Sequence, residues 1–132
     1  MGLRDTHHKG NPRLTDAQRA VLFDKATEVP FSGELLHVDR EGLFVCANCG
    51  TSLFEASAKF DSGSGWPSFD QAIGGSVSLQ TDTSHGMVRT EVTCATCGGH
   101  LGHVFDDGPA ETTGQRYCIN SLSLDFGRSP SA

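Results

Sequence analysis

The sequence predicts a mainly β fold that begins with a short N-terminal helix. Glycine is frequent, with 16 in 132 residues, and helix-forming runs are few, which indicates short strands joined by turns. The stretch from Met87 to Cys94 alternates in polarity, as a half-buried strand does. One face of it carries Val88, Thr90, Val92 and Cys94. Two C-x-x-C pairs lie far apart and can clip distant segments of this single domain together.

The helix is predicted from a capping box near the N-terminus. Thr15 takes the cap position and Gln18 follows three residues later, where its side chain can return to the cap. The helix therefore spans about Asp16 to about Lys25 and ends before Pro30. We divide the chain into a flexible leader (1–13), a single domain (14–127) and a tail (128–132).

Short strands and two loops follow the helix. The remaining predicted strands are Glu34 to Val38, Gly42 to Cys46, and Arg116 to Phe126 as one or two strands with Leu122, Leu124 and Phe126 alternating. Loops rich in glycine, serine or proline are predicted at Asp61 to Asp70, around the only tryptophan, and at Asp106 to Gly114.

Charge and hydropathy exclude several classes of protein. The net charge is −6 and no basic cluster is present, so nucleic-acid binding is not expected. No apolar run approaches the ~20 residues of a membrane span, and residues 1–13 lack the apolar stretch of a signal peptide. Met1 to Thr6 fits the loose N-myristoylation pattern, which is weak by itself. An odd number of cysteines without an export signal indicates a reducing compartment, and we expect a cytoplasmic protein.

Four of the five cysteines have the spacing of a zinc site. Cys46 and Cys49 form one C-x-x-C, and Cys94 and Cys97 form the other. Each pair can present two thiolates from one tight turn, so two turns complete a tetrahedron with no open position. The expected ion is one structural Zn²⁺. Two redox disulfides, or buried cysteines that bind nothing, are the alternatives.

Cys118 is left over and is a candidate nucleophile. In a strand from Arg116 to Asn120, these two residues share a face with Cys118 because side chains alternate. A nearby guanidinium favours thiolate and is expected to lower the pKa of the thiol, and an amide can anchor a polar atom or a water. The alternative is a half-buried cysteine that packs as a small hydrophobe.

Two histidines and the single tryptophan extend this candidate site. His100 and His103 follow the second cysteine pair, and either can donate a proton near neutral pH. Trp66 lies between Gly65 and Pro67 in a polar loop, which favours a pocket wall over a core position. A histidine taken alone is more often a surface or core residue, and a tryptophan more often core.

Together these residues resemble the methionine sulfoxide reductase B family over about Leu14 to Phe126. The matching blocks, in order, are PFSGELL (30–36), CANCG (46–50), KFDSGSGWPSF (59–69), SHGM (84–87), HLGHVFDDGP (100–109) and GQRYCINS (114–121). The resemblance implies two antiparallel sheets, with zinc at the four paired cysteines. KATEVPF (25–31) departs slightly from the family pattern, which affects only the N-terminal wrap.

The resemblance also implies roles for individual residues. Cys118 corresponds to the nucleophile, and His103 to the acid that protonates the sulfoxide oxygen. Asn120 and His85 are implied to position substrate and water, and Trp66 to hold the substrate methyl group. Arg116 and Asp107 are implied to form part of the polar surround of Cys118, with His100 in a supporting role.

The implied reaction is thiol-dependent reduction of methionine (R)-sulfoxide, mainly in damaged proteins, through a Cys118 sulfenic acid. Many members carry a recycling cysteine where this chain has Ser64. A serine forms no disulfide, so an external thiol, thioredoxin or a small one, is expected to regenerate Cys118. Ser64 is either natural or an engineered replacement. We expect a monomer.

Two other functions fit some of these residues. A zinc-stabilised, non-enzymatic interaction module accounts for the four paired cysteines and leaves the Cys118 face unexplained. A cysteine hydrolase would use Cys118, His103 and Asn120 through an acyl-enzyme and would need no added reductant.

Overall fold

The computed structural model describes residues 11–33, 35–36 and 41–127, and the His85 side chain lies outside this description. The tail, residues 1–10 of the leader and most of the predicted strand from Glu34 to Val38 also lie outside it, and Leu35 and Leu36 form a turn. None of the helices in the described part has the length and apolarity to cross a membrane.

The described residues form one α-helix, α1 (Asp16–Asp24), and nine strands. The strands are β1 (Leu43–Cys46), β2 (Ser52–Glu55), β3 (Lys59–Phe60), β4 (Ser68–Phe69), β5 (Val77–Asp82), β6 (Arg89–Cys94), β7 (His100–Phe105), β8 (Arg116–Ile119) and β9 (Leu124–Gly127). They make a three-stranded sheet in the order β2-β1-β9 and a six-stranded sheet in the order β3-β4-β8-β7-β6-β5. Every strand pairing is antiparallel, which confirms the predicted fold class.

The predicted capping box is present at the start of α1. The Gln18 amide N–H donates to the Thr15 hydroxyl at 3.1 Å, and the Thr15 amide donates to the Gln18 side chain at 2.8 Å. The helix ends at Asp24, and Lys25 adopts the left-handed conformation of a C-cap at φ 59°. Val21 and Leu22 are buried, so α1 is held by an apolar face that packs on the core.

Two strand predictions need correction. The strand expected from Met87 begins only at Arg89, and Val88 is 80% exposed, so it is not part of the buried face. The later half of β6 is buried at every position from Glu91 to Cys94, so both of its faces are covered and the expected alternation does not hold there. The stretch from Arg116 to Phe126 forms two strands in different sheets, separated by a 3₁₀ turn at Ser121–Ser123 that contains Leu122.

An aromatic cluster joins the two sheets. Phe44 and Phe54, from β1 and β2, both contact Phe69 of β4, with ring centroids 5.0 Å and 4.3 Å apart. All three side chains are fully buried. Truncating such a residue to alanine costs about 3–5 kcal/mol of stability, so this cluster fixes the relative position of the sheets.

The six-stranded sheet brings Cys118 between two other strands. Cys118 on β8 pairs with His103 on β7 and with Ser68 on β4. Gly102 allows this close approach, because a Cβ atom there would collide with the Cys118 carbonyl oxygen. The register therefore places a histidine and a cysteine opposite one another at the centre of a rigid sheet.

Candidate metal centre and active site

The two cysteine pairs lie on turns of the same shape. In each, the glycine after the second cysteine has φ 79°, and its N–H donates to the carbonyl of the first cysteine, at 2.9 Å for Gly50 and 2.8 Å for Gly98. Only glycine adopts that conformation without strain. The C-x-x-C-G pattern thus encodes two matching thiol-presenting turns.

The four sulfur atoms form one cluster. They all lie within 4.8 Å of one another, with Cys46 and Cys97 sulfurs 3.7 Å apart and those of Cys49 and Cys94 3.6 Å apart. A tetrahedral ion bonded to four thiolates at about 2.3 Å separates its sulfurs by about 3.8 Å, whereas a disulfide brings them to about 2.05 Å. None of the cysteines is in a disulfide. The donor set fits a closed, tetrahedral metal site.

A second site surrounds the remaining cysteine. A cavity of about 280 Å³ is lined by the predicted residues Trp66, His103, Arg116, Cys118 and Asn120. Asp107 contacts the cavity only through Arg116. A larger hollow of about 580 Å³ also borders Trp66, and none of the described residues that line it is a cysteine or a histidine.

Cys118 is half-buried at this cavity, and its pKa differs from the expectation. Burial raises the pKa of the thiol, while the Arg116 charge and the Ser64 hydroxyl only partly offset this effect. Arg116 acts in the expected direction, since its charge lowers the pKa of Cys118, but the net shift is upward because the cost of desolvating the thiolate exceeds its attraction to one guanidinium. The surroundings of Cys118 therefore favour the neutral thiol over the thiolate.

Arg116 is held rigidly beside Cys118. Its Nε and Nη2 donate to the two carboxylate oxygens of Asp107 at 2.8 Å and 3.2 Å, and the guanidinium lies 4.6 Å from the centre of the Phe105 ring. The same hydrogen bond lowers the pKa of Asp107 and raises that of Arg116. Asp107 thus orients the cation beside the thiol from an exposed position.

His103 is fixed by an acid that the sequence did not reveal. Its Nε2 lies 2.8 Å from the Asp82 carboxylate, so Nδ1 is the ring nitrogen that takes no part in this hydrogen bond. Asp82 also accepts the Ser84 amide N–H at 2.9 Å and lies 3.7 Å from the Arg89 guanidinium. The hydrogen bond from His103 holds the pKa of Asp82 well below its usual range. The β5–β6 pairing that brings Asp82 opposite Arg89 has no local sequence signal.

His100 lies behind the cavity. Its Nδ1 is 2.8 Å from the Glu91 carboxylate, which also pairs with Lys25 at 3.2 Å, and its ring lies 5.5 Å from that of His103. Burial lowers the pKa of His100. His100 packs against His103 from the protein interior and does not line the cavity.

Trp66 and Asn120 are both hydrogen-bonded to one residue, Glu28. The Trp66 indole N–H donates to the Glu28 carbonyl at 3.0 Å, and the Asn120 side-chain oxygen accepts the Glu28 amide N–H at 3.1 Å. The Asn120 side-chain nitrogen donates to the Leu101 carbonyl at 3.0 Å. The sequence motifs did not single out Glu28, which lies in KATEVPF (25–31).

Comparison with known proteins identifies the family. The SelR domain family matches residues 14–128. A protein of Bradyrhizobium diazoefficiens named peptide methionine sulfoxide reductase MsrB is 62% identical over 112 residues, covering 84% of this chain and 80% of that protein. Another of the same name, from Chromohalobacter salexigens, is 51% identical and covers 94% of each.

A solved structure supports the fold alone. The Mis18 "Yippee-like" domain superimposes with a TM-score of 0.54 at 18% identity, covering 67% of this chain and 97% of that domain. The resemblance inferred from the sequence motifs is confirmed by the family match and by these relatives. The chain belongs to the SelR domain family, the family of the peptide methionine sulfoxide reductases MsrB.

Proposed function

We propose that this protein reduces methionine (R)-sulfoxide, mainly in oxidised proteins, to methionine, with Cys118 as the nucleophile. The observation that carries the proposal is the cavity that unites Cys118, His103 and Trp66, with Cys118 and His103 paired across β7 and β8. Membership of the reductase family supports the same reaction. No structural observation favours an interaction module or a hydrolase over it.

The proposed chemistry converts the Cys118 thiol to a sulfenic acid and the sulfoxide to a thioether, with no net gain or loss of protons. The Cys118 sulfur attacks the sulfoxide sulfur to form an S–S bond, and the S–O bond breaks as the oxygen takes up two protons and leaves as water. A water molecule then attacks the Cys118 sulfur and gives up one proton, the S–S bond breaks, and methionine leaves with the bonding electron pair while Cys118 keeps the new oxygen as a sulfenic acid. His103, oriented by Asp82, donates a proton to the oxygen as negative charge develops there. Asn120 and His85 position the substrate and water. Arg116, oriented by Asp107, stabilises the thiolate at the moment of attack.

We assign the selection of one sulfoxide epimer to two kinds of lining residue, an apolar one that contacts the methyl group and polar ones that contact the oxygen. Trp66 supplies an apolar surface for the methyl group, while His103 and Asn120 provide polar atoms for the oxygen. Exchanging methyl and oxygen on the same sulfur would place the oxygen against the indole ring without a donor, which carries the cost of an unpaired polar group. Family membership supports the R epimer as the one that the two walls accept.

The reductant is proposed to come from outside the chain. Ser64 lines the cavity beside Cys118, where the resemblance implies a recycling cysteine in many family members, and the other four cysteines form the sulfur cluster. A thiol of thioredoxin, or a small thiol, would attack the sulfenic sulfur and release water. A second thiol would then free Cys118 and leave as a disulfide.

The sulfur cluster is proposed to hold one structural Zn²⁺, bound by Cys46, Cys49, Cys94 and Cys97. Bound zinc would tie the turn after β1 to the turn after β6 and take no part in the reaction. We further propose that the single domain spans 14–127 and acts as a cytoplasmic monomer in the repair of oxidised proteins.

The test is an assay on separated sulfoxide epimers. Peptides that carry pure R or pure S methionine sulfoxide are incubated with the protein and dithiothreitol or reduced thioredoxin, and methionine is quantified. We expect turnover of the R epimer that requires the thiol, and at least a hundredfold less of the S epimer. Equal reduction of both epimers, or turnover without any thiol, would overturn the proposal.

A further inference from the structure

Glu28 connects two walls of the cavity through its main chain. Its amide N–H donates to the Asn120 side-chain oxygen, and its carbonyl accepts the Trp66 indole N–H, at 3.1 Å and 3.0 Å. The two partners lie 54 residues apart in sequence and come from the loop before β4 and the end of β8. A shift of this one peptide segment therefore moves both side chains.

The Glu28 carboxylate is an anchor for that segment. It is 6% exposed, and one oxygen accepts the Leu122 amide N–H at 2.9 Å. The other oxygen is buried with no hydrogen-bond partner among the described residues. Burial raises the pKa of this carboxyl. A buried acid with one incompletely satisfied oxygen is costly, which indicates a purpose beyond stability.

The chain around Glu28 is closely packed and attached at two further points. A Cβ atom at Gly33 would lie 2.6 Å from the unpartnered Glu28 oxygen. Nearby, the Phe31 amide donates to the Gly65 carbonyl at 2.7 Å, and the Leu35 amide donates to the Ser121 hydroxyl at 3.0 Å. The segment thus spans from the Trp66 loop to the turn that follows Asn120.

We propose that Glu28 is a positioning residue of the reductase: its carboxylate fixes the segment that holds the Trp66 indole and the Asn120 amide at the cavity wall. The inference rests on the proposed function, in which those two side chains orient the sulfoxide. Glu28 does not line the cavity and is not assigned a contact with substrate. Its loss should therefore weaken substrate recognition while the Cys118 thiol stays in place.

The only tryptophan of the chain is Trp66, so the fluorescence reports on the surroundings of this one indole, which include its hydrogen bond to Glu28. In Glu28→Ala we expect a red-shifted emission maximum and stronger quenching by acrylamide. We also expect KM for the R-sulfoxide peptide to rise about tenfold and kcat to fall by a smaller factor. The reason is that the displaced Trp66 and Asn120 side chains bind the substrate, whereas the reacting Cys118 thiol stays in place. Glu28→Gln keeps an oxygen acceptor for the Leu122 amide and should stay within about twofold of wild type. Glu111→Ala, at an exposed glutamate, is the matched control and should change nothing.

Unchanged emission, quenching and KM in folded Glu28→Ala would overturn the inference, and so would altered fluorescence with unaltered kinetics. If Glu28→Ala fails to fold, Glu28→Asp, which is too short to reach the Leu122 amide, should show the same changes. The wild-type protein gives an independent readout, because its single indole N–H should exchange with solvent at least tenfold more slowly than that of a short peptide. Exchange at the peptide rate would contradict the inference. Activity in Cys118→Ser would instead refute the proposed function.

Discussion

The four clustered thiols and the fifth thiol occupy different surroundings. Cys46 and Cys94 are each 1% exposed, and every sulfur of the cluster has other sulfurs as near neighbours. Cys118 is half-buried in a cavity with a guanidinium, a hydroxyl and an imidazole. The cluster is built from two short turns of identical shape, whereas the cavity needs the register of several strands and two loops. The thiol group thus serves to stabilise the fold in the sulfur cluster and to react in the cavity. A substitution in the cluster should change mainly stability, and one in the cavity should change mainly activity.

Cys118→Ser should have the largest effect on activity. Serine is nearly isosteric but is a far weaker nucleophile, so we expect a loss of about a thousandfold or more in kcat/KM. The melting temperature and the metal content should stay at wild-type values, because Cys118 is not part of the cluster. Steady-state kinetics, calorimetry and elemental analysis check this. Residual activity within tenfold of wild type would contradict the assignment of Cys118 as the nucleophile.

Cys94→Ser should have the converse effect. Loss of one thiolate opens a closed site, and we expect loss of the ion and a fall of about 4 kcal/mol or more in the free energy of unfolding. The measurement is chemical denaturation with zinc quantified in parallel, and a chelator should reproduce the effect on wild type. A variant that stays as stable as wild type, without metal, would show that the cluster does not brace the fold.

Asp82→Asn should lower kcat by about tenfold to a hundredfold, because His103 loses the charged partner of its Nε2. KM should change little, since Asp82 does not line the cavity. Asp125→Asn, at an exposed position on β9, is the matched control. An unchanged kcat in Asp82→Asn with a normal kcat in the control would remove the orienting role of Asp82.

Alkylation of Cys118 by iodoacetamide should accelerate with pH beyond the range of an ordinary thiol. Burial raises its pKa, so the reactive thiolate accumulates only as the pH rises past the usual value for cysteine. Arg116→Gln removes the charge that favours the thiolate and should shift the profile further upward, slowing alkylation at pH 8 about threefold to tenfold. A downward shift would contradict the assigned role of Arg116. Mass spectrometry of the Cys118 peptide gives the rate.

Ser64→Cys should have the smallest effect on the first turnover. Ser64 lines the same cavity as Cys118, so a thiol there is close enough to attack the sulfenic acid. After one turnover without reductant, we expect the variant to lose two thiols outside the cluster as an intramolecular disulfide, detected by peptide mapping. Retention of both thiols would show that the cavity geometry does not permit recycling from position 64.

The sulfur cluster could be predicted from the sequence more fully than the cavity around Cys118, and the reason is physical. The C-x-x-C-G spacing is local, so it specifies each turn and the thiols that the turn presents. Alternation in β8 likewise predicts that Arg116, Cys118 and Asn120 share a face, and all three line the cavity. Asp82 reaches the site through the register of β5 and β6, which no local sequence pattern reveals. Glu28 reaches it through hydrogen bonds of its backbone to Asn120, 92 residues away, and to Trp66, 38 residues away, which leave no local pattern either.

The pKa of Cys118 shows the same limit. The sequence identifies the neighbouring cation, but it does not give the degree of burial, and burial decides the direction of the shift. Strands β2, β3, β4, β5 and β7 also went unpredicted, and β4 lies inside the loop expected from Asp61 to Asp70, which is therefore too long by at least the two residues of β4. The sequence of β7 interrupts its apolar residues with two histidines and a glycine, and β5 is largely exposed, so neither has the alternation of a half-buried strand.

The most direct test of the central claim, that Cys118 reacts alone and depends on an outside thiol, is the stoichiometry of a single turnover. The metal-loaded protein is mixed with excess R-sulfoxide peptide without reductant, and methionine and a dimedone adduct of the sulfenic acid are quantified by mass spectrometry. We expect about one methionine per chain, one adduct located on Cys118, and cluster thiols that remain unoxidised. Two or more methionines per chain, or oxidation of any of the four paired cysteines during turnover, would contradict it.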